Sequence, residues 1–327
     1  MSDIENGKLN FFDNSVNKKC KNREFSHRNN TEKEAERREK MSYNGEVIVS
    51  NQNKYVALAR ALGERKQRQK NSLFRFDGVK LLCEAAKRGV ALEFLLISEG
   101  AYSSVCEKAE RLYGLDIDAL ECKIVVVADS IFDKISEENA PEGVIAVAKY
   151  DEMRHRELAS SEINAMDGER VLLLEEVRDP QNVGAILRTA AAFSVGRVIM
   201  GRDCADIYSA KTLRASMGAV FALRIDRVDS VSAAVTKLRE NGRRVYAAAL
   251  DERAERLGMT RFSSLDCVVI GNEGHGLSKS TIDACDASVY IPMSDGVESL
   301  NAAVAASVLM WEFFGSLQND TKGKADA

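Results

Sequence analysis

IPMSDGVESLN, residues 291–301, joins a short apolar stretch, SVYIP, to a run of mostly small residues, NAAVAASVLMWEFF. The pattern predicts a strand, a tight loop shaped by Pro292 and Gly296, and a helix for which Ser299 is a natural N-cap. Free main-chain N–H and C=O groups at such a junction form a cradle for a polar small molecule. The stretch therefore predicts one wall of a ligand pocket.

The composition is typical of a globular protein that is long enough for two domains. The chain has 327 residues, of which 45% are hydrophobic and 29% are charged. No apolar run is long enough to span a membrane, and the N-terminus lacks a signal-peptide core. The seven cysteines are scattered without a CxxC pair, and there are only three histidines. This usage favours reduced core cysteines in a cytoplasmic protein and argues against a zinc site.

Periodicity and charge divide the chain into two α/β domains with polar ends. The N-terminal residues have no helix or strand periodicity and are predicted to be a disordered tail. Met41 is an alternative natural start, so that the tail need not belong to the protein. The predicted segments are a tail at 1–45, a small α/β domain at 46–150, a linker at 151–169, a second domain at 170–317 and a flexible tail at 318–327.

Both domains alternate apolar strands with helices. Predicted strands of the first domain are SLFRF, LEFLLIS, KIVVVA and GVIAVAKY; those of the second are VLLLEEV, RVIM, VFALRI, RRVYAAAL, CVVIG and SVYIP. The near-continuous apolar strands of the second domain predict a parallel sheet covered on both faces, whose ligands bind beyond the carboxyl ends of the strands. Its helices are predicted at 180–193, 209–217, 230–240, 278–284 and 299–315.

A basic segment opens the first domain. Residues 53–70 are predicted to form one amphipathic helix, and between Lys54 and Lys80 eight Lys or Arg residues face two acidic ones. Such a run is most often a solvated helix face. In a chain with a net charge of −4, however, it favours an anionic partner such as RNA. The candidate RNA-binding residues are Lys54, Arg65, Lys66, Arg68, Lys70 and Arg75.

The strand-to-helix junction VLLLEEVRDPQNVGAILRTAAAF has a strong helix start. Asp179 is a good N-cap, and Pro180 fits the first helical position. Gly184 costs a helix about 1 kcal/mol relative to Ala, which suggests that either another helix or a ligand packs against it. Arg188 follows one turn later, and its guanidinium group suits a phosphate.

A further junction, CVVIGNEGHGLSKS, leaves a buried strand through a glycine-rich turn. The glycines allow the tight turn, and Asn272 and Glu273 then lie at the carboxyl end of the sheet. The spacing is not GxGxxG, so the turn alone is a weak signal. Ser278 is the predicted N-cap of the next helix, and His275 is predicted to be a loop residue rather than a base or ligand.

Taken in order, the three junctions resemble the SpoU/TrmH family of RNA ribose 2′-O-methyltransferases, within the SPOUT class. The resemblance covers residues 170–317, and the RASMGA segment also looks like a family element. The first domain is similar, more loosely, to the family's substrate-binding domain, which is akin to ribosomal proteins. The motifs are Asn182-x-Gly184-xxx-Arg188-x-Ala190, Gly271-Asn272-Glu273-Gly274, and Ile291-Pro292-Met293 with Ser299-Leu300-Asn301.

The resemblance implies a specific fold and cofactor. The second domain would be a mostly parallel sheet with a trefoil knot near its C-terminal end, binding S-adenosylmethionine in a bent form and forming a homodimer. The implied cofactor-binding residues are Leu250, Gly271, Asn272, Gly274, Ile291, Met293 and Leu300. The implied catalytic residues are Arg188, Asn182, Glu273, Ser299 and Asn301.

The chemistry implied by the resemblance is mainly a matter of alignment. A sulfonium methyl group is already activated, so no metal is needed, and the enzyme must place oxygen, methyl and sulfur in line. Arginine does not deprotonate in proteins. Arg188 would therefore orient the ribose and stabilise the developing alkoxide, while a neighbouring RNA phosphate could take the proton.

One departure and several alternatives remain open. Asp295 occupies a position where the family usually has glycine, and it bears on cofactor affinity. Ribosomal RNA, 23S in particular, is favoured over transfer RNA because of the separate first domain and its basic lead-in. A non-catalytic RNA-binding protein with the same fold is an alternative of another class. A nucleotide-linked oxidoreductase is disfavoured because no GxGxxG follows an early strand.

Overall fold

The computed structural model describes most of the chain, namely residues 43, 45–163, 168–252, 254–263, 265–294, 296 and 299–315. The predictions for the tail at 1–45, apart from residues 43 and 45, lie outside the described residues. So do those for the tail at 318–327 and for Asp295. From position 45 onward the described residues belong to one unit, in which two α/β domains pack together.

The first domain is built on a five-stranded mixed sheet. Its strands are β1 (Val47–Ile48), β2 (Leu73–Asp77), β3 (Leu92–Ser98), β4 (Lys123–Val127) and β5 (Val144–Lys149). The order across the sheet is β1-β4-β3-β5-β2, with β1, β4 and β3 parallel and β5 antiparallel to both of its neighbours. Four of these strands coincide with predicted ones, whereas the two-residue β1 is too short to be seen in the sequence pattern.

The basic lead-in forms two helices rather than the single predicted one. The helices of this domain are α1 (Lys54–Ala61), α2 (Arg65–Asn71), α3 (Val79–Lys87), α4 (Tyr102–Tyr113) and α5 (Asp129–Phe132). The chain turns between α1 and α2, where the guanidinium group of Arg68 donates to the carbonyl oxygens of Leu62 and Gly63 at 2.9 and 2.7 Å. These hydrogen bonds satisfy carbonyl groups that a helix end leaves unpaired, so the break is stable.

The second domain is built on an eight-stranded sheet in which all neighbouring strands are parallel. Its strands are β6 (His155–Leu158), β7 (Val171–Leu174), β8 (Arg197–Gly201), β9 (Arg224–Val228), β10 (Val245–Ala248), β11 (Ala254–Arg256), β12 (Cys267–Ile270) and β13 (Ala287–Tyr290). The order is β11-β13-β10-β12-β7-β8-β9-β6. The predicted parallel α/β sheet is confirmed.

Three details of this sheet differ from the prediction. The segment 151–169, predicted as a linker, contributes the edge strand β6, which pairs with β9. The predicted strand VFALRI begins with Val220, but Ala219–Ala222 form a 3-10 turn in which Val220 and Phe221 are buried, with the Phe221 ring 5.4 Å from that of Phe76 in the first domain. The other edge strand, β11, lies in a polar stretch without alternation and was not predicted.

Helices cover both faces of the second sheet. They are α6 (Pro180–Ala192), α7 (Ala210–Ser216), α8 (Val231–Glu240), α9 (Lys279–Ala284) and α10 (Ala302–Met310), the last continuing into a π turn at Trp311–Gly315. All four residues of β7 and of β12 are buried, as expected for central parallel strands with helices on both sides. No helix in the described part of the chain is long and apolar enough to cross a membrane.

An aromatic cluster joins the two domains. The Tyr208 ring lies 4.4 Å from Phe74 and stacks on Tyr150 at 4.3 Å between centroids. The Tyr208 hydroxyl accepts a hydrogen bond from the main-chain N–H of Asp151 and lies 2.5 Å from Nδ1 of His155, whose Nε2 lies 3.0 Å from the carbonyl oxygen of Val220. Burial of aromatic surface on this scale fixes the first domain against the second.

Candidate active site

The glycine-rich junction forms a closed turn at the carboxyl end of β12. Main-chain hydrogen bonds run both ways between Asn272 and Gly276, and the Asn272 side-chain oxygen accepts from the N–H groups of Gly274 and His275 at 2.8 and 3.3 Å. A Cβ atom on Gly271 would lie 2.5 Å from the carbonyl carbon of Gly276. Glycine is therefore required at position 271 for the chain to approach itself so closely.

The start of α6 agrees with the sequence. Asp179 accepts from the N–H of Gln181 at 2.8 Å as the N-cap, and Pro180 occupies the first turn. Gly184 packs against α7, since an added Cβ would lie 2.5 Å from Cβ of Ala215. Of the two explanations for this glycine, a helix contact and a ligand contact, the structure shows the helix contact.

The third junction caps its helix with a different residue from the one predicted. The Asn301 side-chain oxygen accepts from the N–H groups of Ala303 and Val304 at 2.9 and 3.3 Å, so α10 begins at Ala302. The expectation that Ser299 is the N-cap is wrong, because Ser299 lies two residues before the cap, exposed to solvent. Its hydroxyl group is therefore not used to cap the helix.

A chain of side-chain hydrogen bonds connects all three junctions. Nδ2 of Asn301 donates to Oδ1 of Asn182 at 2.9 Å, and Nδ2 of Asn182 donates to Oε1 of Glu273 at 2.8 Å. In the sequence Asn182 is 91 positions from Glu273 and 119 positions from Asn301. Asn182 is only 8% exposed. Both polar atoms of the Asn182 amide are satisfied by this chain, which fixes the orientation of the amide and of Glu273.

Arg188 is exposed and stands apart from this network. It lies on α6, less than two helical turns after Asn182. Within the part of the chain that the structure describes, its guanidinium group forms no hydrogen bond or ion pair. The group is thus available to an incoming anion or hydroxyl group. Of the five predicted catalytic residues, the structure links Asn182, Glu273 and Asn301 directly.

The turn and the third junction border a cavity of about 440 Å³ at the carboxyl ends of β10, β12 and β13. Its inner wall is apolar, with Ile270, Val289 and Leu309, whereas Leu250 and Met293 lie at its exposed rim. Ser299 and Glu273 also face it, and Glu273 is the one charged residue among its described lining residues. The cavity brings together all seven predicted cofactor-binding residues, namely Leu250, Gly271, Asn272, Gly274, Ile291, Met293 and Leu300.

Two acidic residues outside the cavity hold the turn, and sequence reasoning missed both. The carboxylate of Glu175 accepts from the N–H and hydroxyl groups of Ser278 at 2.8 and 3.0 Å. The carbonyl oxygen of Glu176 accepts from Nδ2 of Asn272 at 2.8 Å, and Glu176 has a left-handed backbone with φ of +53°. A positive φ at a residue other than glycine leaves no signal in the sequence.

The predicted RNA-binding residues fall into two groups. Lys54, Arg65, Lys66 and Lys70 are exposed on α1 and α2. Arg68 and Arg75 are only 5% and 4% exposed, so their assignment to an RNA-binding surface was wrong. The sequence could not show this, because each side chain is buried by residues distant in the chain.

Each buried arginine is paired inside the protein. Arg68 donates to the Asp206 carboxylate at 2.7 Å. Arg75 donates to the carbonyl oxygens of Ala59 and Ile135 at 3.0 and 2.9 Å and also pairs with Glu137. Both arginines thus connect segments of the fold.

The described cysteines are free and mostly buried. The six cysteines within the described residues are free, and five of them are buried. Burial raises the pKa of the Cys267 thiol, on the strand that leads into the turn, to about 12, so this thiol stays protonated. Among the described residues no group of three or more His, Cys, Asp or Glu side chains is arranged to hold a metal ion.

Comparison with known proteins identifies both domains. The model of the SpoU rRNA Methylase family matches residues 169–311, and that of the MRM3-like substrate binding domain matches residues 53–146. The 23S rRNA (guanosine(2553)-2'-O)-methyltransferase RlmP of Bacillus subtilis (strain 168) is 30% identical over 269 residues, which are 82% of this chain and 99% of that protein.

Solved structures agree with these matches. The AdoMet-bound rRNA methyltransferase from Sinorhizobium meliloti superposes with a TM-score of 0.68 at 26% identity, over 82% of this chain and 96% of that one. A structure described as an RNA 2'-O ribose methyltransferase gives a TM-score of 0.67 at 27% identity, over 82% and 97% of the two chains.

The cavity fits S-adenosylmethionine. Its volume lies in the usual range for small-molecule sites, and its inner wall is apolar, with the polar residues Asn272, Glu273 and Ser299 also in its lining. A single carboxylate, that of Glu273, suits a ligand that carries a positive sulfonium group. This chain belongs to the SpoU rRNA methylase family, the S-adenosylmethionine-dependent methyltransferases that act on the ribose 2′-hydroxyl of RNA.

Proposed function

We propose that this protein methylates a ribose 2′-hydroxyl group of 23S rRNA. The observation that carries the proposal is the hydrogen-bonded chain Asn301–Asn182–Glu273 at the border of the 440 Å³ cavity. It places fixed polar side chains next to a cofactor-sized site. The likeness to the Bacillus subtilis 23S rRNA methyltransferase over 82% of the chain supports ribosomal RNA as the substrate.

The bound cofactor would supply an activated methyl group on a sulfonium centre. The main chain around Gly271, Ile291 and Leu300, with the side chain of Leu250 at the rim, would hold it in the cavity. These contacts depend on shape and on main-chain groups, so they would position the cofactor without a formal charge on the adenosine side. Asn272, Gly274 and Met293 complete the same wall.

Arg188 would act on the substrate rather than on the cofactor. It is exposed and does not line the cavity, and a guanidinium group presents several hydrogen-bond donors. It would orient the ribose and stabilise the negative charge that develops on the 2′-oxygen, while a phosphate of the RNA accepts the proton. Asn182, Glu273, Ser299 and Asn301 would fix the position of the ribose relative to the methyl group.

The strand order supports a trefoil knot at the C-terminal end. β12 is inserted between β7 and β10, and β13 then lies on the far side of β10. The last part of the chain therefore interleaves with strands formed earlier, and α10 returns to pack on α6. Knots are rare in proteins, and here the knot would bring the second and third junctions together around the cofactor.

The exposed side of α6 and α10 supports a homodimer through the second domain. Trp311 and Val304 are 62% and 50% exposed, and the Trp311 ring contacts Phe193 at 6.0 Å between centroids. Large apolar side chains clustered on a surface are typical of protein interfaces. Arg188 lies on the same helix pair, so the dimer would bring each active site close to the partner.

The exposed basic residues of α1 and α2 would hold the RNA backbone. Lys54, Arg65, Lys66 and Lys70 are solvent-exposed, and charged groups of this kind bind phosphates without reading sequence. Arg68 and Arg75 do not belong to this surface. With a ribosomal RNA substrate, the enzyme would act in the cytoplasm.

The test is to map 2′-O-methyl groups in total RNA from a strain that lacks this protein and from its parent. We expect one 23S rRNA position to lose its methyl group, and complementation with the intact protein to restore it. The nucleotide that corresponds to the target of the Bacillus relative is the first position to compare. Loss confined to transfer RNA, or unchanged methylation of all RNA, would contradict the proposal.

A further inference from the structure

The turn that carries Asn272 and Glu273 is attached to the β7–α6 junction at both of its ends. At its start, Nδ2 of Asn272 donates to the carbonyl oxygen of Glu176 at 2.8 Å. Just beyond its end, at the start of α9, the Glu175 carboxylate accepts from the N–H of Ser278 and from the hydroxyl group of Thr281, at 2.8 and 2.5 Å. Two consecutive residues thus hold the two ends of one loop.

Neither acidic residue belongs to the cavity. Glu175 and Glu176 are absent from its described lining, whereas the turn that they hold supplies Gly271, Asn272 and Glu273 to it. Ser278 is the N-cap of the helix α9, and its hydroxyl group accepts from the N–H of Thr281 in the first turn. The hydrogen bonds that Glu175 and Glu176 make to the turn and to the start of α9 therefore reach the cavity indirectly.

The backbone of Glu176 has an unusual left-handed conformation. With φ of +53°, its carbonyl group faces the Asn272 amide. The carboxylate of Glu176 adds contacts of its own, at 2.7 Å to Arg178 and at 3.4 Å to Nε2 of His275. A residue other than glycine is disfavoured in this conformation and persists only where surrounding contacts require it.

The Asn272 amide links this contact to the active site. Its nitrogen donates to the carbonyl oxygen of Glu176, and its oxygen accepts from the N–H groups of Gly274 and His275. Rotation of the amide would therefore break both sets of bonds. Glu273, the next residue, holds Asn182 and through it Asn301. The orientation of Asn272 thereby fixes the position of Glu273.

We propose that Glu176 and Glu175 are positioning residues that hold the Gly271–Gly276 turn in its ligand-binding form. Glu176 does so through its main-chain carbonyl in the left-handed conformation, and Glu175 does so through its carboxylate. The inference rests on the cofactor site proposed above and names the residues that organise it. It assigns a function to two residues that do not line the cavity.

The test compares three variants that all remove the Glu176 carboxylate but differ in backbone preference. Glu176→Gly adopts a positive φ freely, Glu176→Ala adopts it with strain, and Glu176→Val is the least compatible because it is β-branched. Each full-length variant is titrated with S-adenosylmethionine in a calorimeter, well below its unfolding temperature. We expect the Kd of Glu176→Val to exceed that of Glu176→Gly at least tenfold, with Glu176→Ala between them.

A second measurement follows the turn without any ligand. Amide hydrogen exchange at Gly274 and His275, whose N–H groups are bound by Asn272, should be faster in Glu176→Val and in Glu175→Ala than in Glu176→Gly. Equal exchange rates and equal affinities among the folded variants would overturn the inference. A lowered unfolding temperature with unchanged exchange and affinity would do the same, since it would show a purely structural role.

The two proposals fail in different ways. If the unaltered protein binds no S-adenosylmethionine, the proposed cofactor site is wrong, while the exchange comparison still tests the role of Glu176. If the unaltered protein binds the cofactor and Glu176→Val binds it as tightly as Glu176→Gly, only the positioning role is wrong.

Discussion

At the residue scale, the role proposed for Arg188 concerns catalysis and not cofactor binding. Its side chain is exposed, does not line the cavity and has no partner among the described residues. We expect Arg188→Ala to lower the rate of methyl transfer by about 10²–10³-fold, the usual loss when one group that stabilises a developing oxyanion is removed. The Kd for S-adenosylmethionine should change by less than about twofold. Radiolabelled methyl transfer to RNA and calorimetry measure the two quantities.

A matched variant tests the geometry of the guanidinium group. Arg188→Lys keeps the positive charge but loses the planar fork with its several donors. It should therefore recover only part of the lost rate. If Arg188→Ala turns over at the rate of the unaltered protein, Arg188 has no catalytic role.

At the scale of the element, α2 carries basic residues with two different roles. Lys66 and Lys70 are exposed, whereas Arg68 is buried and paired with Asp206 at 2.7 Å. Lys66→Ala and Lys70→Ala should each weaken RNA binding and reduce the slope of log K against log salt by about 1, because each removes one phosphate contact. Binding measured over a range of salt concentrations gives the slope.

Arg68→Ala is expected to act on stability instead. It leaves Asp206 as an unpaired, mostly buried charge and removes the donor to two helix-end carbonyl groups, so the free energy of unfolding should fall by about 3 kcal/mol. Urea denaturation measures this change, with Lys66→Ala as the control that should lie within about 0.5 kcal/mol of the unaltered protein. A stable Arg68→Ala protein with weakened RNA binding would reverse this assignment.

At the scale of the whole molecule, His155 makes the contact between the domains sensitive to acid. Burial lowers the pKa of His155 below its ordinary value of 6.5. Since the unfolded state then binds the proton first, the free energy of unfolding falls as the pH drops below about 6.5. The neutral ring lies between Tyr208 and the carbonyl oxygen of Val220, so protonation disturbs the aromatic cluster.

Urea denaturation at about pH 7.5 and about pH 5.5 checks this expectation. The unaltered protein should lose more stability between the two values than His155→Gln, which keeps a polar side chain but cannot gain a proton in this range. An equal loss in both proteins would show that other groups cause the acid sensitivity.

Much of the site could be predicted from local sequence rules, because the carboxyl ends of parallel strands meet at one edge of the sheet. The apolar strands predicted the parallel sheet, and residues that follow such strands meet at their carboxyl ends. Leu250, Gly271 and Ile291 follow three separate strands, yet they border one cavity. The caps Asp179 and Ser278 were equally predictable, since each bonds within its own first turn.

The choice between two neighbouring polar residues was not predictable. Ser299 and Asn301 are both good N-cap residues, and the sequence pattern favoured Ser299. The structure uses Asn301, whose amide nitrogen also donates to Asn182. That second bond comes from a helix 119 positions away, so no local rule could include it.

The sequence by itself determined the alternation of the main strands and helices in both domains, the positions of the three junctions and the family to which the chain belongs, because these depend on periodicity and on turn chemistry within a few residues. The tertiary structure alone decided that Arg68 is buried rather than exposed, that β6 joins the second sheet, and that Glu176 is left-handed. Each of these depends on partners distant in the chain, such as Asp206 and Asn272. Only the folded chain brings those partners within bonding distance.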